Sequence, residues 1–175
     1  MIKALFILGK YDEAYKQKAI KSLDALLKAV YIDDTLYHFT YLNKKPQTKA
    51  FLSDYAFLAI TLIKAYNSTK NEFYLIDAQK SINKALERFY KNGEWNFNSN
   101  EPITKADISD TTHVSAVSII VDALLSLGTL LNDKKYIHFA FKTLEYNSYE
   151  LGRKPILSPY MLNQMFKYLN IKNSF

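Results

Sequence analysis

Apolar residues recur every three or four positions along most of the chain, which is the period of an amphipathic α-helix. Between Asp12 and Val30 the apolar side chains share one stripe and lysines lie opposite, and the segment from Asn71 to Tyr90 has the same striped pattern. The segments Leu52 to Tyr66 and Val114 to Leu131 are instead apolar on nearly every side. Because a helix that is apolar all round is buried all round, the two patterns predict an inner row of helices covered by an outer row.

An internal repeat runs through these helices. The motif Tyr-x3-Ala-x3-Leu/Ile begins at Tyr15, Tyr74 and Tyr136, so the three copies follow one another at nearly equal intervals. Each copy follows a more uniformly apolar segment, the first of which is Ile2 to Leu8. Repeated pairs of an inner and an outer helix predict α/α hairpins that form part of a toroid or solenoid.

Short connections join each inner helix to its outer partner, and long connections, 31–50 and 91–112, lead to the next hairpin. In the first, Tyr37 to Tyr41 alternates like a short strand. In the second, Asn92-Gly93 marks a turn before a strand-like segment, Trp95 to Phe97. We expect both long connections to lie at one end of the helices, the rim, where loops commonly carry function.

A last helix is predicted from Tyr160 to Leu169, because Ser158-Pro159 supplies an N-cap followed by proline at the first helical position. The expected fold is therefore all-α, with α/α hairpins that form part of a toroid of about seven helices. No boundary divides the chain, so residues 1–175 are interpreted as a single domain.

Composition narrows the functional classes. The 4 Gly and 4 Pro are too few for a turn-rich β fold, and the absence of Cys excludes disulfides and thiolate chemistry. No apolar run is long enough for a membrane span, and the first residues lack the features of a signal peptide, so a cytoplasmic location is expected. Of 23 basic residues only Arg88 and Arg153 are Arg, and the lysines are scattered, which argues against nucleic-acid binding despite the net charge of +6. The three His are far apart and no phosphate loop is present, so neither a metal nor a cofactor is expected.

Two carboxylates and one His are candidate catalytic residues. Asp54 lies in the first turn of an inner helix, and Asp110 precedes the next one. Together they would form the paired carboxylates that glycoside hydrolysis uses, or each would simply cap a helix. His113 lies near the same helix start as Asp110 and could exchange protons near neutral pH, or it could be a surface or capping residue.

Aromatic side chains are concentrated in the two long connections, at Tyr37, Phe39, Tyr41, Trp95 and Phe97. Such rings would stack on a sugar at the rim, or they would fill the rim as core. Tyr55, next to Asp54, would line the same cavity or only pack against it.

Three segments resemble the α/α-barrel part of the thioredoxin-domain-containing, spermatogenesis-associated type of protein. The segment Phe51 to Leu58 is similar to the L-x-D-Y-A-F-L motif of that family, and Phe89 to Phe97 is similar to its aromatic-glycine turn. Asp110 to Ser118 aligns with its D-G-A-x-P-S-G-N-S segment. The matching positions are Asp110, Ser115 and Ser118, whereas Thr111, Val114, Ala116 and Val117 depart from the pattern.

The resemblance runs from Met1 to about Leu169 and implies the last half of that barrel, without the family's thioredoxin-like domain. The barrel is similar to those of N-acylglucosamine 2-epimerases and six-hairpin glycosidases, which act on sugars. It therefore implies a sugar ligand, with Asp54, Asp110 and His113 in catalytic positions. The implied binding residues are Tyr55, Trp95, Phe97 and Ser115.

Three functions follow as hypotheses. The first is a partial barrel with a structural or binding role that lacks complete catalytic machinery, because seven helices cannot enclose the cavity of a closed ring of about twelve. The second is a carbohydrate-acting enzyme, epimerase-like or glycosidase-like, that uses the rim carboxylates. The third is a helical-repeat scaffold for a protein partner. Whether the chain is an enzyme stays open at this point.

The arc also predicts geometry that a structure can check. Asp54, Trp95, Phe97, Asp110 and His113 should lie at one rim, since each precedes or opens an inner helix. An arc leaves two open flanks, so bulky residues are expected to be exposed at Phe6 to Leu8 and at Met161, Met165 and Phe166, while the inner helices present apolar residues to an unfilled centre. The residues expected there are Ile60, Ile63, Val117 and Val121. Such surfaces predict self-association, most simply as a dimer, or a partner that completes the barrel.

Overall fold

A computed structural model describes residues 1–41 and 46–172. Its helices are α1 Ile2–Leu8, α2 Glu13–Val30, α3 Leu52–Thr69, α4 Glu72–Phe89, α5 Ala116–Leu131, α6 Lys134–Tyr146, α7 Ser148–Arg153 and α8 Pro159–Lys172. Two short antiparallel pairs, β1 Tyr31–Ile32 with β2 Thr35–Leu36 and β3 Tyr90–Lys91 with β4 Glu94–Trp95, follow α2 and α4. The predicted all-α fold is confirmed, with α7 and a 3₁₀ turn at Pro155–Leu157 in addition. Within these ranges no helix is both long and apolar enough to cross a bilayer.

Polar residues at the helix ends set the short turns of the hairpins. Asp12, Asn71 and Asp133 each accept a hydrogen bond from the backbone N–H two residues later, which caps α2, α4 and α6. Lys70 and Asn132 adopt left-handed conformations, with φ of 59° and 51°, at the ends of α3 and α5. Each inner helix of these two hairpins therefore stops shortly before its outer partner begins.

The inner helices α3 and α5 lie at the centre of the core, but they do not face an unfilled space. Ile60, Ile63, Val117 and Val121 are all 6% exposed or less. The expectation that these residues point into an open centre is wrong. The physical reason is that α3 packs against α1, α4 and α5, and α5 packs against α3, α4, α6 and α8, so their apolar faces are covered within the chain.

The last helix is docked on α5 by a polar cluster as well as by apolar contacts. The Asp122 carboxylate of α5 accepts hydrogen bonds from Lys167 Nζ at 2.6 Å and from the Tyr160 hydroxyl at 2.8 Å. Burial, together with this carboxylate, raises the pKa of Tyr160. Lys167 Nζ also contacts Ser126 Oγ at 2.7 Å. These bonds fix α8, which the sequence predicts to form one of the two open flanks, against α5.

The flanks are consequently less exposed than expected. Phe6 and Met161, both predicted to be exposed, are buried, because α2 and α3 pack against α1 and because α5 covers the inner side of α8. Ile7 and Leu8 are exposed as expected, and Phe166 is 64% exposed. Self-association and a partner that completes the barrel stay predictions.

The repeat extends from the helices into the connections. Each β pair is followed by the same two backbone hydrogen bonds, one back to the end of the preceding helix and one to the second strand. In the first repeat these bonds are Tyr37 N to Val30 O and Ala50 N to Leu36 O, and in the second they are Asn96 N to Phe89 O and Ala106 N to Trp95 O.

The predicted strand from Tyr37 to Tyr41 is wrong. The strands lie earlier, because Asp33 and Asp34 take positive φ values of 48° and 58° and turn the chain between β1 and β2. Beyond β2, Tyr37 forms an isolated bridge with Lys49.

The predicted turn at Asn92-Gly93 is confirmed, with φ of 50° and 93°. A Cβ at Gly93 would lie 2.6 Å from the Lys142 carbonyl oxygen, so both the conformation and the space require glycine. The following strand ends at Trp95, which leaves Asn96 and Phe97 outside it.

Candidate functional site

The Asp54 carboxylate, in the first turn of α3, has two partners through Oδ2. It accepts a hydrogen bond from the Phe51 backbone N–H at 2.8 Å, which caps the helix start, and it lies 2.8 Å from His38 Nδ1. The Asp54 and His38 side chains are 22% and 40% exposed, so solvent reaches the pair. A ligand at this point would meet a carboxylate whose position is set by both contacts.

The connection between β2 and α3 positions His38. Its backbone N–H donates to the Thr48 carbonyl at 2.9 Å, and its ring packs edge-on against Phe51 at 4.9 Å between centroids. Sequence reasoning considered His38 only as a metal ligand and missed its contact with Asp54. The internal repeat could have indicated this contact. When the sequence is aligned with itself so that Tyr15 matches Tyr74, His38 matches Phe97, and Phe97 also contacts the start of α3.

Five rings form a continuous group at this helix start, which we call the rim aromatic cluster. Its members are His38, Phe39, Tyr41, Phe51 and Phe97. Phe51 and Phe97 stack with centroids 5.0 Å apart, and Phe39 makes edge contacts with His38 and Tyr41. Phe39 and Phe97 are each 41% exposed and Tyr41 is 66% exposed. The rim therefore presents aromatic surface to solvent beside a carboxylate.

A cavity of about 810 Å³ opens beside the His38–Asp54 pair. We call it the α1–α3 groove; its apolar lining includes Leu23, Leu26, Val30, Leu36, Phe57 and Leu58, and His38 and Asp54 also border it. Its volume falls within the range of small-molecule sites. The groove is mostly apolar; His38 and Asp54 meet at its border, and Lys3, Ser53 and Thr61 also line it.

Two predicted binding residues lie beneath the rim. Trp95 is 2% exposed, and its indole N–H donates to Thr143 Oγ1 at 2.9 Å. Tyr55 is 1% exposed, and its hydroxyl accepts a hydrogen bond from Arg88 Nη1 at 3.1 Å. Their direct role in ligand binding stays a prediction, and the structure shows both packed in the core, Tyr55 against Phe89 and Trp95 against Tyr90.

Asp110 joins two helix starts. Its Oδ1 accepts from the Ser115 backbone N–H and its Oδ2 from the Tyr160 backbone N–H, each at 2.8 Å. Ser115, also predicted to bind substrate, is buried and caps α5 through Ser118 N–H. His113 is exposed, with Nδ1 2.9 Å from Thr112 Oγ1.

The structure brings only some of the predicted site residues together. Asp54 and Phe97 meet at the start of α3, where Phe97 O accepts from the Leu52 backbone N–H at 3.0 Å. Asp110 and His113 lie at the start of α5, and neither borders the α1–α3 groove. Across the described ranges no hydrogen bond or ion pair links Asp54 to Asp110 or His113. Their predicted joint catalytic role stays untested, as does the single shared rim.

In residues 1–41 and 46–172, no group of three His, Asp or Glu side chains could hold a metal ion.

No protein-family model matches the sequence, and a search of curated proteins gives no match. Solved structures do match. An unsaturated glucuronyl hydrolase from Bacillus sp. GL1, responsible for the degradation of glycosaminoglycan, superposes with a TM-score of 0.67 at 16% identity over 82% of this chain. A GH76 α-mannanase from Bacteroides thetaiotaomicron superposes with a TM-score of 0.59 at 16% identity over 83%. The chain has an α/α-toroid fold.

This chain spans 43% and 40% of the lengths of those two proteins. At 16% identity the similarity establishes the fold alone. The resemblance to six-hairpin glycosidase barrels is therefore confirmed at the level of fold. Membership of the thioredoxin-domain-containing, spermatogenesis-associated type stays a prediction.

Proposed function

We propose that this chain is a carbohydrate-binding module. In this proposal an exposed ring of the rim aromatic cluster stacks on the apolar face of a sugar, and Asp54 accepts hydrogen bonds from sugar hydroxyls. The observation that carries it is the line of half-exposed rings in contact with the His38–Asp54 pair.

The two kinds of group match the two sides of a sugar ring. A pyranose presents C–H groups on one face and hydroxyl donors around its edge. Phe39 and Tyr41 offer exposed aromatic faces, and the Asp54 carboxylate offers a charged acceptor that forms stronger hydrogen bonds than a neutral one. The two solved structures with this fold are a glucuronyl hydrolase responsible for the degradation of glycosaminoglycan and an α-mannanase, which supports a carbohydrate ligand here.

The arrangement of Asp54 and Asp110 fits sugar binding better than glycoside hydrolysis. Glycoside hydrolysis commonly needs two carboxyl groups that flank one bond. Both oxygens of Asp110 accept backbone hydrogen bonds, and Asp110 does not border the groove that contains Asp54. One specific observation favours an enzyme as the second candidate, since His38 held by Asp54 is an arrangement that can transfer protons.

Ring truncation should weaken sugar binding. We expect Phe39→Ala and Tyr41→Ala each to reduce affinity for an oligosaccharide about fivefold, because an aromatic stacking contact contributes about 1 kcal/mol. Titration calorimetry with neutral and uronic acid oligosaccharides measures the effect. Phe73→Ala is the matched control, since Phe73 is 54% exposed in the first turn of α4, outside the cluster.

Two results would argue against the proposal. One is the absence of binding by either class of oligosaccharide at millimolar concentration, and the other is equal affinity in the two rim variants and the control. Release of reducing sugar by the wild-type chain, lost in Asp54→Asn, would favour the enzyme instead.

Asp54→Asn should change stability little. We expect the free energy of unfolding to fall by less than about 1 kcal/mol, because Asn keeps an acceptor for the Phe51 N–H and the contact with His38 is partly exposed to solvent, where such contacts contribute only ~0–1 kcal/mol. Asp54→Ala removes the acceptor and should cost about 1 kcal/mol more. Urea unfolding followed by circular dichroism compares the three proteins. A loss well beyond that bound in the Asn variant would mean that the carboxylate charge is needed for folding rather than for a ligand.

A further inference from the structure

The inner helices α3 and α5 carry three charged side chains, Asp54, Lys64 and Asp122. Both carboxylates have partners, since Asp54 contacts His38 and Asp122 contacts Lys167. Lys64 is only half-exposed, yet no carboxylate in residues 1–41 and 46–172 forms an ion pair or a hydrogen bond with its ammonium group. Because a partly buried charge without a partner is unfavourable, a negative charge from a ligand would stabilise Lys64.

Two further lysines add charge of the same sign near Lys64. Burial lowers the pKa of Lys64, and the positive charges of Lys10 and Lys3 lower it further. Lys3 belongs to α1 and Lys10 to the turn that follows it, and neither has a carboxylate partner in the part of the chain that the structure describes. We call Lys3, Lys10 and Lys64 the lysine cluster. Its mutual repulsion favours an anion beside it.

The lysine cluster lies at one end of the α1–α3 groove. Lys3 and Thr61 line the groove, and Lys64 lies one turn beyond Thr61 on the same face of α3. Asp54 borders the groove two turns before Thr61, which is about 10 Å along the helix. Between these ends the lining is apolar and accessible, as Phe57 shows by being 42% exposed. The groove therefore has a cationic end, an apolar middle and an acidic end.

We propose that the α1–α3 groove binds a small amphiphilic carboxylate, an organic acid with an apolar body, whose carboxylate contacts Lys3 and Lys64. The ammonium groups supply charge-assisted hydrogen bonds, and the apolar lining covers the body of the ligand. The reverse orientation is disfavoured, because it would place the ligand carboxylate beside Asp54, where like charges repel. This site does not use the rim aromatic cluster, so it adds a second ligand to the sugar of the proposed function.

Three small probes separate the two parts of this recognition. Octanoate carries a carboxylate and an apolar chain, 1-octanol carries the chain without the charge, and acetate carries the charge without the chain. We expect titration calorimetry to show saturable binding of one octanoate per chain. Octanol and acetate should each bind at least about tenfold more weakly, because each lacks one part of the recognised structure.

Charge removal at Lys64 tests the position of the carboxylate. We expect Lys64→Gln to weaken octanoate binding at least about fivefold, because it removes a charge-assisted contact and little apolar surface. Lys18→Gln is the matched control, since Lys18 is exposed on α2 and does not line the groove. Phe57→Ala should also weaken binding, because Phe57 belongs to the apolar lining. Circular dichroism checks that each variant is folded.

Bound octanoate should also raise the pKa of Lys64, because a nearby anion favours the charged ammonium form. Nuclear magnetic resonance of ¹³C-labelled lysine side chains follows this pKa with and without octanoate, and Lys64→Gln assigns the signal. The signal of Lys18 should not change. An unchanged pKa of Lys64 at saturating octanoate would overturn the proposal, because the carboxylate would then lie elsewhere.

Three calorimetric results would overturn it as well: no saturable octanoate binding at millimolar concentration, octanol or acetate binding as tightly as octanoate, or equal weakening by Lys64→Gln and Lys18→Gln. Loss of octanoate binding in Phe39→Ala would do the same, since it would place the ligand at the rim. None of these outcomes depends on oligosaccharide binding, so failure here is distinguishable from failure of the proposed function.

Discussion

Trp95→Ala is expected to lower the free energy of unfolding by about 3–5 kcal/mol, as large-to-small changes of buried aromatic residues do. Trp95 is 2% exposed at the end of β4, and its ring packs edge-on against Tyr90 at 5.0 Å between centroids. Its indole N–H donates to Thr143 Oγ1 of α6, so the side chain joins the second β pair to the last hairpin. Truncation would leave a cavity between these elements.

Trp95→Phe should cost less, about 1–2 kcal/mol, because most of the apolar contact remains and one buried hydrogen bond is lost. Circular dichroism in urea is the appropriate measurement, since Trp95 is the single Trp of the sequence and its replacement removes the intrinsic fluorescence probe. Ile103→Ala serves as the control at an exposed position of the same connection. A Trp95→Ala protein no less stable than the Ile103→Ala protein would contradict the buried role.

Asp110→Ala should lower the free energy of unfolding by about 3–6 kcal/mol, because it removes two charge-assisted hydrogen bonds at once. Both carboxylate oxygens accept backbone N–H bonds, one from Ser115 at the start of α5 and one from Tyr160 at the start of α8. Hydrogen bonds to charged groups each contribute about 1.5–3 kcal/mol, and a carboxylate is further favoured at a helix N-terminus. Losing Asp110 therefore loosens the docking of α8.

Asp110→Asn should be little more stable than Asp110→Ala, because the amide NH₂ of Asn would face one of the two backbone N–H donors. Asp107→Ala is the matched control in the same loop, since Asp107 accepts a single hydrogen bond from the described residues, from Ser109 N–H at 3.2 Å. Urea unfolding compares all four proteins. If Asp110→Ala proves as stable as Asp107→Ala, the Asp110 carboxylate is not a structural link between the two helices.

Local signals in the sequence predicted most of the helical architecture correctly. Apolar spacing predicted α2 and α4 to within one residue at each end, and the capping residues Asp12 and Asn71 mark where these helices begin. Hydrophobic period and capping act between residues a few positions apart, so they can be interpreted without knowing the rest of the fold. The short helix α7 carries no comparable signal and was missed.

The candidate site depends on longer-range information. His38 and Asp54 are separated by 16 residues, and their contact depends on how the connection after β2 folds back onto α3. The strand prediction at Tyr37 to Tyr41 failed for a related reason, since two left-handed residues earlier in the chain decide where the β pair lies.

By itself the sequence determined the α/α repeat, the inner and outer helices and the aromatic character of the rim, because periodicity and composition are local properties. Only the tertiary structure decided that Trp95 is buried while Phe97 is half-exposed, that Asp110 holds two helix starts together, and that Asp54 meets His38. Burial and hydrogen-bond partners depend on which distant segments pack together. In this chain long-range packing buries Trp95 and leaves Phe97 accessible to a ligand.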